Sequence, residues 1–283
     1  MEIKELKKLA PKPIKNLVYR YREGFAKAKI NWETITSRIN QSPIIVLGNQ
    51  KSGTSAIAAL LAEMSGLSVT LDLRKEIENP TYDRVKTGEL SFAEFVKINK
   101  LDFCREIIKE PNLTLFHQEM NEYFTRQKYV FVIRDPRENI RSILNRLKIP
   151  GNLRELESEY LEEIRKYPAW NLVLDGRWLG IEGQNYIERL AYRWNFMADI
   201  FLENKDKMIL VYYEDFVKDK VGVIADLTEK LGLDRVNDIA DKVDIQFQPK
   251  GNRNVKGIEF FGEDNLERIE SICEERIKMF NYY

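Results

Sequence analysis

Apolar and polar positions switch between two periods along most of this chain. Five short runs rich in branched or aromatic residues read as buried strands: Ile44–Leu47, Val69–Leu71, Leu113–Phe116, Tyr129–Ile133 and Met208–Tyr213. Between them the apolar spacing is helical. Ala56–Met64, Arg137–Leu147, Glu155–Arg165, Asn185–Leu202, Phe216–Leu231 and Asn265–Phe280 each predict a helix. Ser91-Phe-Ala-Glu94 has the form of a capping box and predicts a helix reaching Ile108. Strands that are apolar throughout and alternate with helices imply the α/β class. The expected architecture is a single domain whose central parallel sheet is flanked by helices on both faces. Glycine and proline cluster near Pro150–Gly151, Gly176–Gly183 and Pro249–Gly262, which marks loops rather than a domain boundary.

Residues 1–42 stand apart from this alternation. Ile14, Leu17, Val18, Tyr21 and Phe25 recur at helical spacing after Pro11 and Pro13. The segment holds seven lysines and three arginines against four glutamates, a net +6. It reads as a basic N-terminal helical arm, with 43–283 as the main domain. Such an arm either packs as a helix or rests on an anionic membrane surface.

Composition narrows the function classes. Over 283 residues, 45 basic side chains balance 45 acidic ones, whereas a general nucleic-acid binder carries a basic excess. Two cysteines, Cys104 and Cys273, exclude a disulfide-stapled secreted scaffold and are expected as free thiols. With one histidine, His117, they are too few for an ordinary His/Cys metal site. No apolar run of about 18 residues is present to span a membrane. The first ten residues lack the apolar block of a signal peptide. A cytoplasmic protein is expected, with the arm as a peripheral contact at the inner membrane surface.

The most specific chemistry lies in Pro43-I-I-V-L-Gly48-N-Q-Lys51-Ser52-Gly53-Thr54-Ser55. A strand, a tight loop and a helix N-terminus together cradle anions, because free N–H groups and the helix dipole both favour phosphate. Gly48 and Gly53 have the spacing of the nucleotide-binding pattern G-x-x-x-x-G-K-[ST], but Thr54 stands where that pattern requires lysine. Lys51 lies three residues earlier, inside the loop. A hydrolytic loop directs its lysine to the β and γ phosphates and the next hydroxyl to magnesium, so the displaced lysine points to different chemistry. A second site follows the strand Tyr129–Ile133. Arg134-Asp135-Pro136-Arg137 places an arginine fork at a strand's carboxyl end, where α/β sheets bind ligands, and Ser142 follows eight residues after Arg134.

These stretches resemble the sulfotransferase superfamily that uses 3′-phosphoadenosine-5′-phosphosulfate (PAPS). Gln50–Ser55 is similar to its first signature, P-K-[SA]-G-T-[TS], with Gln50 where proline is usual. The resemblance implies that Lys51 contacts the bridging oxygen and the transferring sulfuryl group, while Ser52, Gly53, Thr54 and Ser55 cradle the 5′-phosphate. It implies a 3′-phosphate site at Arg134 and Ser142. Val211-Y-Y-E-D-Phe216 resembles a further signature, which puts Tyr213 near the adenine. Lys250, Gly251, Asn252 and Arg253 resemble, loosely, a basic loop that folds over the nucleotide, and Lys256-Gly257 is a rival placement. PAPS is then the donor and 3′,5′-adenosine bisphosphate (PAP) the product, with no metal required. Together the matches run from Ile44 to Tyr283.

Sulfuryl transfer to a hydroxyl also needs a proton acceptor. Family members carry it at the end of the strand read here as Leu113–Phe116. His117 and Glu119 stand there, and His117 is preferred because its ordinary pKa of about 6.5 suits proton transfer near neutrality. Glu119 resembles the glutamate of glycan-directed members but is displaced by one residue, and Glu122 is a weaker candidate. Trp170 and Trp178, in the segment Gly151–Gln184, offer faces for a sugar ring. The acceptor expected is a hydroxyl of a saccharide or glycolipid, with no nucleic-acid partner. Two other readings fit parts of the pattern. A P-loop kinase or NTPase would use a carboxylate of Arg134-Asp135 or of Glu214-Asp215 on magnesium, against which Thr54 argues. A non-catalytic nucleotide holder would not need Lys51.

Overall fold

The computed structural model describes residues 36–245 and 256–282. Most of the basic arm and the proposed loop Lys250, Gly251, Asn252 and Arg253 lie outside the described residues. Along the chain, β1 (Ile44–Gly48) leads through the phosphate loop into α1 (Thr54–Ser65) and β2 (Val69–Leu71). Three short helices follow, α2 (Arg74–Glu78), α3 (Tyr82–Lys86) and α4 (Phe92–Ile98), then β3 (Ile107–Lys109). A 3-10 helix over Pro111–Phe116 and α5 (His117–Tyr123) lead to β4 (Lys128–Ile133) and α6 (Pro136–Leu147). Next come α7 (Ser158–Arg165), α8 (Pro168–Asp175) and α9 (Tyr186–Glu203). The chain closes with β5 (Met208–Tyr212), α10 (Tyr213–Lys218), α11 (Lys220–Lys230) and α12 (Gly257–Met279).

The five strands form one sheet in the order β2-β3-β1-β4-β5, and every pairing is parallel. Side chains alternate between its two faces. Val46, Val130 and Val132 meet Ile57 and Leu61 of α1 and Ile224 and Leu227 of α11. On the other face Phe131 stacks on Phe201 of α9 with ring centres 5.1 Å apart. Both layers are dry: Ile45, Val46, Leu47, Val130, Phe131 and Val132 have no exposure. Each such side chain contributes roughly 1.5–3 kcal/mol on burial, which is why continuous apolar runs become central strands.

Three sequence expectations change. The run Leu113–Phe116 is not a strand but part of the 3-10 helix. Pro111 favours a helical first turn, and the Glu110 carboxylate accepts from the Asn112 N–H at its start. The strand is instead Ile107–Lys109, which the sequence pattern assigns to the end of a long helix. That helix, α4, has the expected capping box at Ser91 and Glu94 but stops at Ile98. The closing helix starts earlier than expected and breaks at Gly262 (φ 72°, ψ 170°).

The strand order places a functional crevice. The connection from β1 runs toward β2 and that from β4 toward β5, so the loops after β1 and β4 diverge in opposite directions. Ligands bind at such a switch point, outside the carboxyl ends of the strands.

Candidate active site

The phosphate loop is shaped by two glycines. Gly48 has φ 137°, and a Cβ there would lie 2.4 Å from the Val132 carbonyl oxygen of the adjoining strand. Gly53 has φ 94°, and a Cβ there would meet the Tyr213 ring at 2.4 Å. Both positions exclude side chains on two grounds, backbone conformation and space. Gly53 also caps α1 without a side-chain hydrogen bond, and the Ala56 N–H turns back to the Gly53 carbonyl at 3.1 Å, so the Thr54 and Ser55 N–H groups are the ones placed to meet an anion. Lys51 itself sits at φ 67°, an uncommon conformation for a lysine. Burial brings its ammonium down to about 8, helped by the charges of Arg146, Arg134 and Lys109.

Arg134 leaves the end of β4 and leans back over this loop. Its Nη1 donates to the Lys51 carbonyl at 3.0 Å. Its guanidinium lies 4.5 Å from the centre of the Tyr213 ring, a cation–π stack. Its Nη2 is 3.5 Å from a Glu138 carboxylate oxygen, and the same oxygen pairs with Arg141. The Trp194 indole donates to the Arg134 carbonyl at 2.9 Å and fixes the strand end. Glu214 does the same one residue on, accepting from the Asp135 N–H at 3.0 Å and from the Tyr282 hydroxyl at 2.8 Å.

These groups open onto one cleft of about 1000 Å³. Lys51, Gly53, Thr54, Ser55, Arg134, Ser142 and Tyr213 all line it. Ser52 does not. It is buried beneath the loop, where its hydroxyl accepts from Asn139 Nδ2 at 2.9 Å. Trp170 lines the cleft, whereas Trp178 points its indole N–H at the Leu172 carbonyl and does not.

The proposed bases require a correction. Neither His117 nor Glu119 lines the cleft. His117 is buried beside Tyr129, ring centres 4.9 Å apart, at the amino end of β4 rather than its carboxyl end. Burial, with the charge of Lys207, lowers its pKa. Glu119 and Glu122 share the same short helix, α5. The cause is the early end of β3. Because the strand stops at Lys109, the 3-10 helix carries the chain away from the crevice before His117 is reached.

The carboxylate at the true strand end is Glu110, which the sequence reading did not single out. It lines the cleft together with Lys51, Lys109 and Asp72. The Asn112 N–H donates to one oxygen at 3.0 Å and the Leu73 N–H to the other at 3.3 Å. Lys109 is paired with Asp72. Burial, and then the negative charge of Asp72, push the Glu110 carboxyl up to about 7. A carboxyl group held near neutrality in a cleft is suited to exchange protons at working pH. The sequence signal was Ile-Ile-Lys-Glu-Pro, a branched pair with a charged residue before proline.

The chain matches the model of the sulfotransferase domain over residues 41–259. It belongs to the sulfotransferase family. No curated protein matches the sequence significantly. Among solved structures, the sulfotransferase is similar to STF9 from Mycobacterium avium, at 10% identity over 90% of this chain and 80% of that one, TM-score 0.49. It is also similar to mouse sulfotransferase SULT7A1 complexed with PAP (16% identity, 87% and 88% covered, TM-score 0.47). A sulfotransferase from Alicyclobacillus acidocaldarius shows 18% identity with 83% and 97% covered, TM-score 0.43. The family assignment rests on the domain match.

Proposed function

We propose that this sulfotransferase takes PAPS as donor and transfers its sulfuryl group to a hydroxyl of a saccharide or glycolipid. The observation that carries the reading is the convergence of Lys51, Arg134, Ser142 and Glu110 on one cleft. The residues fit the nucleotide. An uncapped helix start with Thr54 and Ser55 suits the 5′-phosphate, and the Arg134 fork with Ser142 suits the 3′-phosphate. Glu138, bridging Arg134 and Arg141, already puts a carboxylate where an anion would bind. Tyr213 holds Arg134 and the loop together and offers its edge to the nucleoside.

When bound, the donor supplies a sulfuryl group on a good leaving phosphate. Lys51 presents a fixed cation to the oxygen on which charge grows, which favours the transition state over the ground state. Glu110 replaces His117 and Glu119 as the proposed general base and takes the proton of the acceptor hydroxyl. Lys109, tied to Asp72, keeps positive charge beside that carboxyl group. Trp170 and Tyr167 furnish aromatic faces for a sugar ring on the acceptor side. The direct test is calorimetry with PAP and with ATP, with and without magnesium, followed by an acceptor screen with labelled PAPS. Tight, magnesium-independent PAP binding and weak ATP binding are expected. Equal affinities, or strict magnesium dependence, would sink the donor assignment.

A further inference from the structure

Among the described residues Arg193 is the one charged side chain with zero exposure. It sits on α9 behind the cleft and does not line it. One nitrogen, Nη2, donates to Gln50 Oε1 at 3.1 Å and to Asn112 Oδ1 at 2.9 Å. Gln50 Nε2 closes the ring by donating to the same Asn112 oxygen at 2.8 Å. Nε and Nη1 have no hydrogen-bond partner among the described residues. A fully buried guanidinium that satisfies its donors only in part is a poor device for stability alone. Its contacts join two places that matter to the chemistry. Gln50 immediately precedes Lys51, and the Asn112 N–H donates to Glu110 Oε1 at 3.0 Å.

We infer that Arg193 is a positioning residue which, through Gln50 and Asn112, locks the loop bearing Lys51 to the turn bearing Glu110. The inference rests on the roles given to those two residues above. From the opposite side, Asn139 of α6 donates to the Gln50 carbonyl at 2.8 Å and to Ser52 Oγ at 2.9 Å, and Asn49 Nδ2 donates to Asn139 Oδ1 at 2.9 Å. The loop is thus held at its backbone by α6 and at the Gln50 side chain by α9. The second clamp is the one that runs through Asn112, whose N–H holds Glu110. It also brings charge: Arg193 and Glu110 feel each other electrostatically, so the guanidinium favours the ionised carboxylate that can accept a proton.

The test is a double-mutant cycle read by PAP calorimetry, which needs no acceptor. Arg193→Met and Gln50→Leu should each weaken PAP about five-fold or more, and the double variant should be no weaker than the worse single one. Should Arg193→Met fail to fold, Asn112→Leu with Gln50→Leu reads the same clamp. A second readout is the pH profile of PAPS hydrolysis, in which water replaces the acceptor. Loss of the guanidinium should move the acidic limb upward, and Arg193→Lys should restore it in part. Multiplicative losses in the cycle, or an unmoved acidic limb beside a lowered melting temperature, would overturn the inference and leave a structural arginine. If the unaltered protein binds no PAP, the donor assignment fails instead, and the two failures are distinguishable.

Discussion

The two halves of the cleft, the proposed donor half and the proposed base half, are built differently. The donor half comes from two contiguous stretches, Gln50–Ser55 and Arg134–Ser142, each a strand end running into a helix. Its ligand-facing parts are local, glycine conformations, a helix start and an arginine fork, although Tyr213, Trp194 and Glu214 brace the fork from a distance. The base half is assembled from afar. Glu110 is ordered by Leu73 and Asn112, Lys109 by Asp72, and the whole corner is backed by Arg193. Its decisive property, a carboxyl group near neutrality, comes from burial and neighbouring charge rather than from any spacing in the chain. Local chemistry leaves a motif in a sequence; tuned chemistry leaves only an ordinary glutamate.

The largest expected effect tests the base half. With any accepted hydroxyl substrate, Glu110→Gln should lower kcat by about 10²- to 10⁴-fold while PAP binding persists. His117→Ala, buried away from the cleft, should keep turnover within a few-fold of the unaltered protein in a variant that folds. A mild Glu110→Gln with a dead but folded His117→Ala would reverse the comparison.

The donor half is probed by Arg134→Ala. Losing a charged hydrogen-bond partner costs about 1.5–3 kcal/mol, or roughly 10- to 150-fold in PAP affinity. Unchanged affinity by calorimetry would remove Arg134 from the 3′-phosphate site.

A pH profile joins the two halves. Glu110 must be ionised to accept a proton, so kcat/KM should rise as pH passes about 7. In the proposed role Lys51 must be charged to stabilise the leaving oxygen, so the same parameter should fall above about 8. A narrow bell is expected for the free enzyme. Glu110→Gln should erase its acidic limb and leave the alkaline one, and a profile flat from pH 6 to 9 would contradict both assignments.

The smallest effect concerns Glu138, whose carboxylate bridges Arg134 and Arg141. If it competes with the 3′-phosphate, Glu138→Gln should tighten PAP by about two- to five-fold, the scale of a partly exposed ion pair. Weaker binding would make Glu138 a support rather than a rival.

The same contrast explains what the sequence disclosed. Four of the five strands and the strand–loop–helix shape of Ile44–Ser65 were legible, because branched runs set off by polar residues, and glycine spacing, are written into the local chain. β3 was not. With only three residues, Ile107–Lys109, it follows Leu101 and Phe103, which prolong the apolar rhythm of α4, and no glycine or proline marks the end of that helix at Ile98. Leu113–Phe116 then imitated a strand, although Pro111 had already set a helical turn. The misplaced strand set the expected base at His117, seven residues beyond the Glu110 proposed here. The clamp of Gln50, Asn112 and Arg193 spans 143 residues between its ends, a pairing that no local pattern reveals.

The contact between Tyr282 and Glu214 ties the tail of the described chain to the end of the strand that carries Arg134. Burial and the Glu214 charge hold that phenol protonated, so the bond survives in alkaline solution. Tyr282→Phe would therefore remove a strut of the Arg134 corner without altering any residue that lines the cleft. The melting temperature of Tyr282→Phe, compared with and without PAP, would report how far that strut supports donor binding, and needs neither an acceptor nor a product.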